Sequence, residues 1–430
     1  MRICIYEDQQ VRGLEPLTLT RPVSDLICGL DTLGVKQTRY FRASSVGYLC
    51  RPVVAGVIRE RTPRTPVNDP VWLRAASTIL VNARWVPPAK SPLRSTADPL
   101  LDGPHLGTVN GQIAYAVLDA RHLLTVSPQT LDDCLEDWSQ TLPAREVGGD
   151  LVTRPWELVD LNAAQIAVDF EVDADPGAAG FHPTGFAVVG PADRLYIHPT
   201  ARIDPMVVAD TTSGPVSIGA GAIIQAFTRL EGPCGIGVGS VVLGAKIRSG
   251  TTIGPHCRVG GEIERSILLG YDNKYHEGFL GHSYLGEWVN LAAGTHTSDL
   301  RLDYRPVTVP INGAEVPTGR LKVGAIVGDH VRTGLGVLLN SGTIAGPFAQ
   351  ILPTGGFAPR EVAAFTRVGP RGVTVLDDVD RVLVTADTML RRRGRVLTPA
   401  LDAVYRSLAG ASVGRHGHQA EAVRPLRRSA

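Results

Sequence analysis

From about residue 190 the apolar residues recur every six positions: Ile197 and Ile203, then Ile218, Ile224, Leu230, Ile236 and Val242. A one-residue slip gives Ile247, Ile253 and Val259. Leu285 and Leu291 resume the pattern, and Val327, Leu339 and Ile351 continue it with Thr333 and Ala345 between. A helix would need apolar residues every three or four positions, and an ordinary strand every two. Period six, with glycine following in IGAG, IGVG and VGDH, fits short strands joined by sharp turns, three to a coil. Each coil turns one aliphatic group per face into a narrow axial core. Glycine supplies the positive φ of the turns, and stacked coils bury what one coil cannot. The spacing predicts an all-β parallel helix of hexapeptide repeats over 190–360. Residues 299–322 are too irregular for coils and are expected to form a loop or arm, and the repeats are expected to end after Pro353.

The first 175 residues follow a different grammar. Residues 2–7 read as a buried strand, Ser24–Leu33 as a short helix, Pro52–Ile58 as a β-type run and 78–82 as a central strand. A Pro-rich loop over 86–104 precedes a strand and short helix within 111–126. Asp132–Leu142 reads as a helix. Residues 154–171 read as an amphipathic helix with Trp156, Leu158, Val159, Leu161 and Ile166 on its apolar side. This mix predicts an α/β domain over 1–175, with a linker at 174–186. Beyond the repeats, 361–410 is expected to be a helical extension. Asp377–Leu390 and Pro399–Leu408 form its helices around the basic turn RRRGR at 391–395. A polar, basic and disordered tail is expected over 411–430.

Composition changes this picture little. The net charge of +1 gives no general polyanion-binding surface, so no nucleic-acid partner is expected. Six scattered cysteines without a CxxC pair suit a reduced, cytoplasmic setting. Met1 leads straight into RICIYED, which lacks the apolar core of a signal peptide. No run of about 18 apolar residues predicts a membrane span.

Candidate chemistry concentrates at 276–298, HEGFLGHSYLGEWVNLAAGTHTS, where His276, His282, Asn290 and His296 interrupt the aliphatic repeat. The repeat region resembles the left-handed β-helix acyltransferases. Residues 260–295, with LEPLTLTRP at 14–22 and RPWELVDLN at 154–162, resemble the bifunctional enzymes that make UDP-N-acetylglucosamine. The likeness is to a variant that pairs a sugar nucleotidyltransferase-like domain with a fused glucosamine-1-phosphate N-acetyltransferase. The resemblance implies a homotrimer with acetyl-CoA bound in the groove between neighbouring β-helices. It implies an amino-sugar 1-phosphate acceptor and a nucleotide substrate such as UTP or dTTP. His276 falls at the family's base, Asn290 at the acetyl-transfer site, and Ala293 with Gly294 where the backbone meets the coenzyme. Lys274 falls near the sugar phosphate.

The chemistry agrees with those roles. An amine must lose a proton to attack a thioester, and imidazole titrates near neutral pH. The tetrahedral oxyanion needs a donor, which an Asn amide or a turn N–H supplies. An acceptor phosphate needs a cation such as Lys274 or Arg265. His282 and His296 are expected to be turn or interface residues. Two departures bear on the acceptor: Phe279 stands where the familiar form has a Tyr, and Asp299 where it has an Asn.

In the first domain the resemblance implies a phosphate-holding loop, yet only Gly13 of its glycine core is present, and Val23 stands where a lysine is expected. Arg12, Arg21 and Asn82 are the candidate substrate and phosphate ligands. Asn82 replaces a metal-binding Asp at the end of the central strand, and Asn162 is the candidate second Mg²⁺ group. Two other readings stand beside this one. His276 and His282, six apart, could project from successive rungs into a zinc site of carbonic-anhydrase type. Alternatively, the chain is a non-catalytic scaffold that binds sugar nucleotides.

Overall fold

The computed structural model describes residues 1–89, 103–173 and 185–416. The expected linker and tail fall largely outside these residues. So does most of the Pro-rich loop.

Seven helices are labelled here: α1 Leu33–Tyr40, α2 Pro52–Arg61, α3 Pro70–Arg74, α4 Leu131–Thr141, α5 Pro155–Asp173, α6 Val379–Arg391 and α7 Pro399–His416. The first five belong to the N-terminal α/β region. Its six-stranded sheet runs Ser45–Leu49, Arg2–Tyr6, Thr78–Asn82, Gln112–Leu118, His105–Val109, Ala144–Glu146. The first three strands are parallel and Gln112–Leu118 is antiparallel to its neighbours. Thr78–Asn82 is buried along its whole length, which explains its unbroken apolar run.

Three expectations here are corrected. The short helix expected after the strand within 111–126 does not form: Gln112–Leu118 is followed by turns up to α4. Pro52–Ile58 is not a strand but the start of α2, with Pro52 in its first turn. Its buried residues, Val54, Ala55, Val57 and Ile58, keep helical spacing. Ser24–Leu33 is not a helix. It holds a short 3-10 turn, Val23–Asp25, and a paired Ile27–Cys28 and Asp31–Thr32; α1 begins only where Thr32 caps Val35 N.

The β-helix has three faces joined by three corners, with parallel pairing from coil to coil, and is left-handed. The first face passes through Arg229–Glu231, Phe279–Gly281, His296–Thr297 and Leu338–Leu339. The second passes through Leu195–Ile197, Val216–Ile218, Ile267–Gly270, Tyr284–Glu287 and Ile326–Val327. The third passes through Arg202–Ile203, Arg258, Asn273–Lys274 and Arg332–Thr333. The six-residue set forms one axial core: Ile218, Ile224, Leu230, Ile236, Val242, Ile253, Leu285, Val327, Leu339 and Ile351 are all buried in it. Coils continue past Pro353, through Glu361–Val362 and Thr366–Gly369. The spacing slips there, to seven residues from Ile351 to Ala358 and four to Val362, before Val368 restores six, and all of these reach the axis.

The corner between the second and third faces carries a column of rings. His256, Tyr271, Trp288, His330, Phe348 and Phe365 all sit at φ between 53° and 64°, a region usually left to glycine. Consecutive centroids are 5.0, 4.4, 6.3, 4.6 and 4.6 Å apart and the rings lie nearly parallel. Ring stacking and burial offset the backbone cost.

The two halves share one interior. Ile267, Leu269, Tyr284 and Ile326 face outward from the second face into the same cluster as Ile3, Ile5, Leu14 and Trp85. The Tyr284 hydroxyl accepts from Ile27 N and donates to Ile27 O, both at 2.9 Å. The 299–322 segment contains an antiparallel hairpin, Thr308–Ile311 with Ala314–Pro317, and Val307 and Val309 pack on Trp156 of α5. The C-terminal helices close the assembly: Phe348, Phe365 and Tyr405 cluster with Val57 of α2.

Candidate active site

The corner between the third and first faces carries the coenzyme and acceptor candidates. Lys274 ends a third-face strand, and its side chain turns inward beneath the loop that follows. Its Nζ donates to Gly260 O at 2.9 Å and to His276 O at 2.6 Å. Burial lowers its pKa to about 8, with Glu277 opposing. Lys274 therefore fixes the turn that presents His276, which is exposed and lies edge-on to Tyr275 at 5.5 Å.

One coil on, Ala293 and Gly294 occupy the equivalent turn. Gly294, at φ +71°, donates its N–H to Glu277 O at 2.9 Å, and Gly336 N donates to Ala293 O at 2.9 Å. Three turns thus stack in register. The Ala293 N–H donates to no group among the described residues. On the adjoining third face, Asn273 Nδ2 donates to Asn290 Oδ1 at 2.7 Å. That bond fixes the Asn290 amide and leaves its NH₂ as the outward donor. The fold thus gathers Lys274, His276, Asn290, Ala293 and Gly294 about one corner. Arg265 is elsewhere, exposed at the corner between the first and second faces, with its side chain over Gly250.

His282 also lies at that other corner. A zinc site needs it beside His276, but the strand Phe279–Gly281 of one coil separates them, so they are not on successive rungs. Among the described residues no three metal-ligating side chains come together. His282 is instead paired with Asp299, Nδ1 to Oδ2 at 2.7 Å, both side chains about nine-tenths buried. Sequence reading missed this dyad because its members are 17 residues apart, on neighbouring coils. His296 is exposed, and its Nδ1 accepts from Phe279 N at 3.2 Å.

In the N-terminal region the candidates do not converge. Arg12 is exposed on a 3-10 turn. Arg21 is buried and reaches the β-helix, 2.5 Å from Asp329 Oδ2 and 3.2 Å from Glu287 Oε2, while Thr20 Oγ1 donates to Asp329 at 2.6 Å. It borders a cavity of about 560 Å³ between the two halves. Asn82 ends its strand as expected. Its Nδ2 donates to Asp8 Oδ2 at 2.9 Å and its Oδ1 accepts from Arg84 N at 3.0 Å. Asn162 is remote from this group: its Oδ1 accepts from Gly29 N at 2.7 Å, and its Nδ2 donates to Gly250 O at 2.9 Å and Thr252 Oγ1 at 3.0 Å.

A family model described as sugar nucleotidyl transferase matches residues 3–175. A bifunctional sugar-1-phosphate nucleotidylyltransferase/acetyltransferase of Sulfurisphaera tokodaii is 37% identical over 92 residues, 21% of this chain and 23% of that one. The bifunctional protein GlmU of Methanococcus vannielii is 38% identical over 104 residues, 24% and 25% of the two chains. An uncharacterized acetyltransferase of Escherichia coli K12, YaiX, is 30% identical over 172 residues, 37% of this chain and 75% of the relative. The chain belongs to the same family as that acetyltransferase. The match spans about a quarter of the length of the first two relatives.

The resemblance of residues 3–175 to sugar nucleotidyl transferases implies Mg²⁺ there, and the residues around Asn82 do not fit it. Asp8 is held by Arg84 at two points, Nε to Oδ1 at 2.9 Å and Nη2 to Oδ2 at 2.6 Å, and Arg84 Nη1 donates to Val152 O. The guanidinium is 1% exposed. A fixed cation thus already neutralises the nearest carboxylate, and the Asn162 amide is fully used between α5, the 27–30 turn and the β-helix.

Proposed function

We propose that this protein transfers an acetyl group from acetyl-CoA to the amine of an amino-sugar 1-phosphate of the glucosamine 1-phosphate kind, in sugar-nucleotide synthesis. One observation carries the reading: the stacked turns at a single corner that present His276, the Asn290 amide and the Ala293 N–H together.

In this mechanism Lys274 holds the His276 turn by its carbonyl. His276 takes a proton from the acceptor amine as the nitrogen attacks the thioester carbonyl. The Asn290 NH₂ and the Ala293 N–H supply donors to the resulting oxyanion. His276 then returns its proton to the sulfur as the C–S bond breaks, leaving amide and free thiol. Phe279 supplies no hydroxyl to the acceptor, so recognition of its phosphate falls to charged groups around the corner.

Exposed Met206, Phe227 and Leu335 line the same corner, which supports packing against a second and third copy in a homotrimer. The cysteines, all free, support a reducing, cytoplasmic setting. Among the described residues no helix is long and apolar enough to cross a membrane.

For the N-terminal region, the match over 3–175 supports nucleotidyl transfer from UTP or dTTP to a sugar 1-phosphate. Pyrophosphate release tests that reading. The principal test is release of free thiol from acetyl-CoA with glucosamine 1-phosphate and a panel of related acceptors. Turnover that His276→Ala abolishes supports the proposal; no turnover with any acceptor rejects it.

A further inference from the structure

The basic turn after α6 has no part in the mechanism above. The helix carries it along the β-helix, with Met389 against Arg332, and lays it beside the successive coils of His256 and Tyr271. Arg393 Nη1 donates to His256 O at 3.3 Å. Arg395 Nε donates to Tyr271 Oη at 3.0 Å, and its guanidinium carbon lies 5.7 Å from the centre of that ring. Arg258, two residues after His256, is exposed on the third face. Arg258 and Arg392 both press on Arg393, whose pKa is lowered first by burial and then by these like charges.

These four guanidiniums stand apart from their neighbours. Arg391 pairs with Asp387 at 2.6 Å, and Arg406 with Asp402 and Asp380 at 2.8 and 2.7 Å. Among the described residues no carboxylate pairs with Arg258, Arg392, Arg393 or Arg395. Like charges held this close repel unless an anion joins them, and planar guanidinium forks match phosphate oxygens at two points each. The location also matters. Arg258 is in register with Asn273, which holds the Asn290 amide and precedes His276 by three residues. Three residues span at most about 10 Å. A phosphorylated ligand anchored at the arginines can therefore reach the His276 corner.

We infer that Arg258, Arg392, Arg393 and Arg395 form a phosphate-binding site for a nucleotide-bearing ligand of the His276 corner. The chemistry recognised is a diphosphate or a phosphate monoester on a ribose. Coenzyme A and a nucleoside diphosphate both carry such groups, and the test separates them.

The test is calorimetric titration of the full chain with coenzyme A, 3′-dephospho-coenzyme A, UDP and inorganic pyrophosphate. Wild type is compared with Arg393→Ala/Arg395→Ala, Arg258→Ala and the charge-keeping Arg395→Lys. At least one probe is expected to bind wild type, with affinity falling as salt rises. The double variant should weaken that probe tenfold or more, and Arg395→Lys by less. Preference for coenzyme A over its dephospho form assigns the 3′-phosphate; equal binding assigns the diphosphate; tighter UDP binding assigns a nucleoside diphosphate. Unchanged melting by circular dichroism keeps the double variant informative, and Arg258→Ala, on an exposed strand, serves if the double variant unfolds. Wild-type affinity for every probe in the variants overturns the site, as does the lack of salt-dependent binding in wild type. This outcome is independent of the acetyl-transfer reading, which fails on thiol release alone.

Discussion

The two halves of this molecule treat their polar groups in opposite ways. In the N-terminal half the groups expected to meet a ligand, the exposed Arg12 apart, are consumed internally. Arg21 is tied to Asp329 and Glu287, Asp8 to Arg84, and Asn162 to three partners on neighbouring elements. At the His276 corner of the β-helix, the internal bonds hold backbone in place and leave the chemical groups facing outward. Lys274 binds the carbonyl of His276, not its ring, and Asn273 takes the oxygen of the Asn290 amide, not its donors. A buried polar group must be satisfied. Whether the partner comes from the protein or from a ligand separates a strut from a site.

That contrast can be broken most sharply at His276. Its replacement by Ala should lower the acetyl-transfer rate by roughly 10²–10⁴-fold, with melting unchanged because the ring is exposed; comparable loss of stability would make it a strut. Arg21→Ala should do the reverse. Removing it leaves Asp329 without its cation and Glu287 with only Arg61 at 4.0 Å, at a cost of about 3–5 kcal/mol in chemical denaturation. A variant that melts normally but no longer binds nucleotide would reassign Arg21 to a site. Asn290→Ala should reduce kcat about 10²-fold with a smaller change in KM. An effect on KM alone would make the amide a binding group.

A pH experiment sharpens the structural side. Burial, with Arg332 adding to it, depresses the His330 pKa to about 3. Unfolded histidine binds a proton near its ordinary value of about 6.5. Between these values the unfolded chain holds the extra proton, so stability falls as pH drops from 6.5 toward 3. His330→Phe should flatten the acid limb of the melting curve, whereas an unchanged limb would show that the ring column is not its origin. The smallest effect is expected at Phe279. Phe279→Tyr adds one hydroxyl near the acceptor and should change KM for a phosphorylated amino sugar by no more than about tenfold, the scale of one net hydrogen bond. No change for any acceptor would put Phe279 outside the acceptor site.

Much of this was legible in the residues. The six-residue period names the axial core nearly position by position, since each apolar residue in it answers to one local rule. The resemblance over 260–295 singled out His276 and Asn290, and the fold brings those residues near one corner. The α2 segment was misread because its Pro and β-branched residues outweighed a helical spacing already present in Val54, Ala55, Val57 and Ile58. The repeats past Pro353 were missed because a coil needs its inward positions filled, not its spacing preserved.

By itself the sequence determined the coil, its core and the place where that core turns polar, because these depend on neighbours a few residues away. Only the tertiary structure decided what the polar groups do. His282 meets Asp299 across one coil, Arg21 meets Asp329 across 308 residues, and Arg395 meets Tyr271 across 124. No local periodicity encodes such meetings. They follow from how two halves and a C-terminal pair of helices close on one another, and that closure separates partnered charges from those left for a ligand.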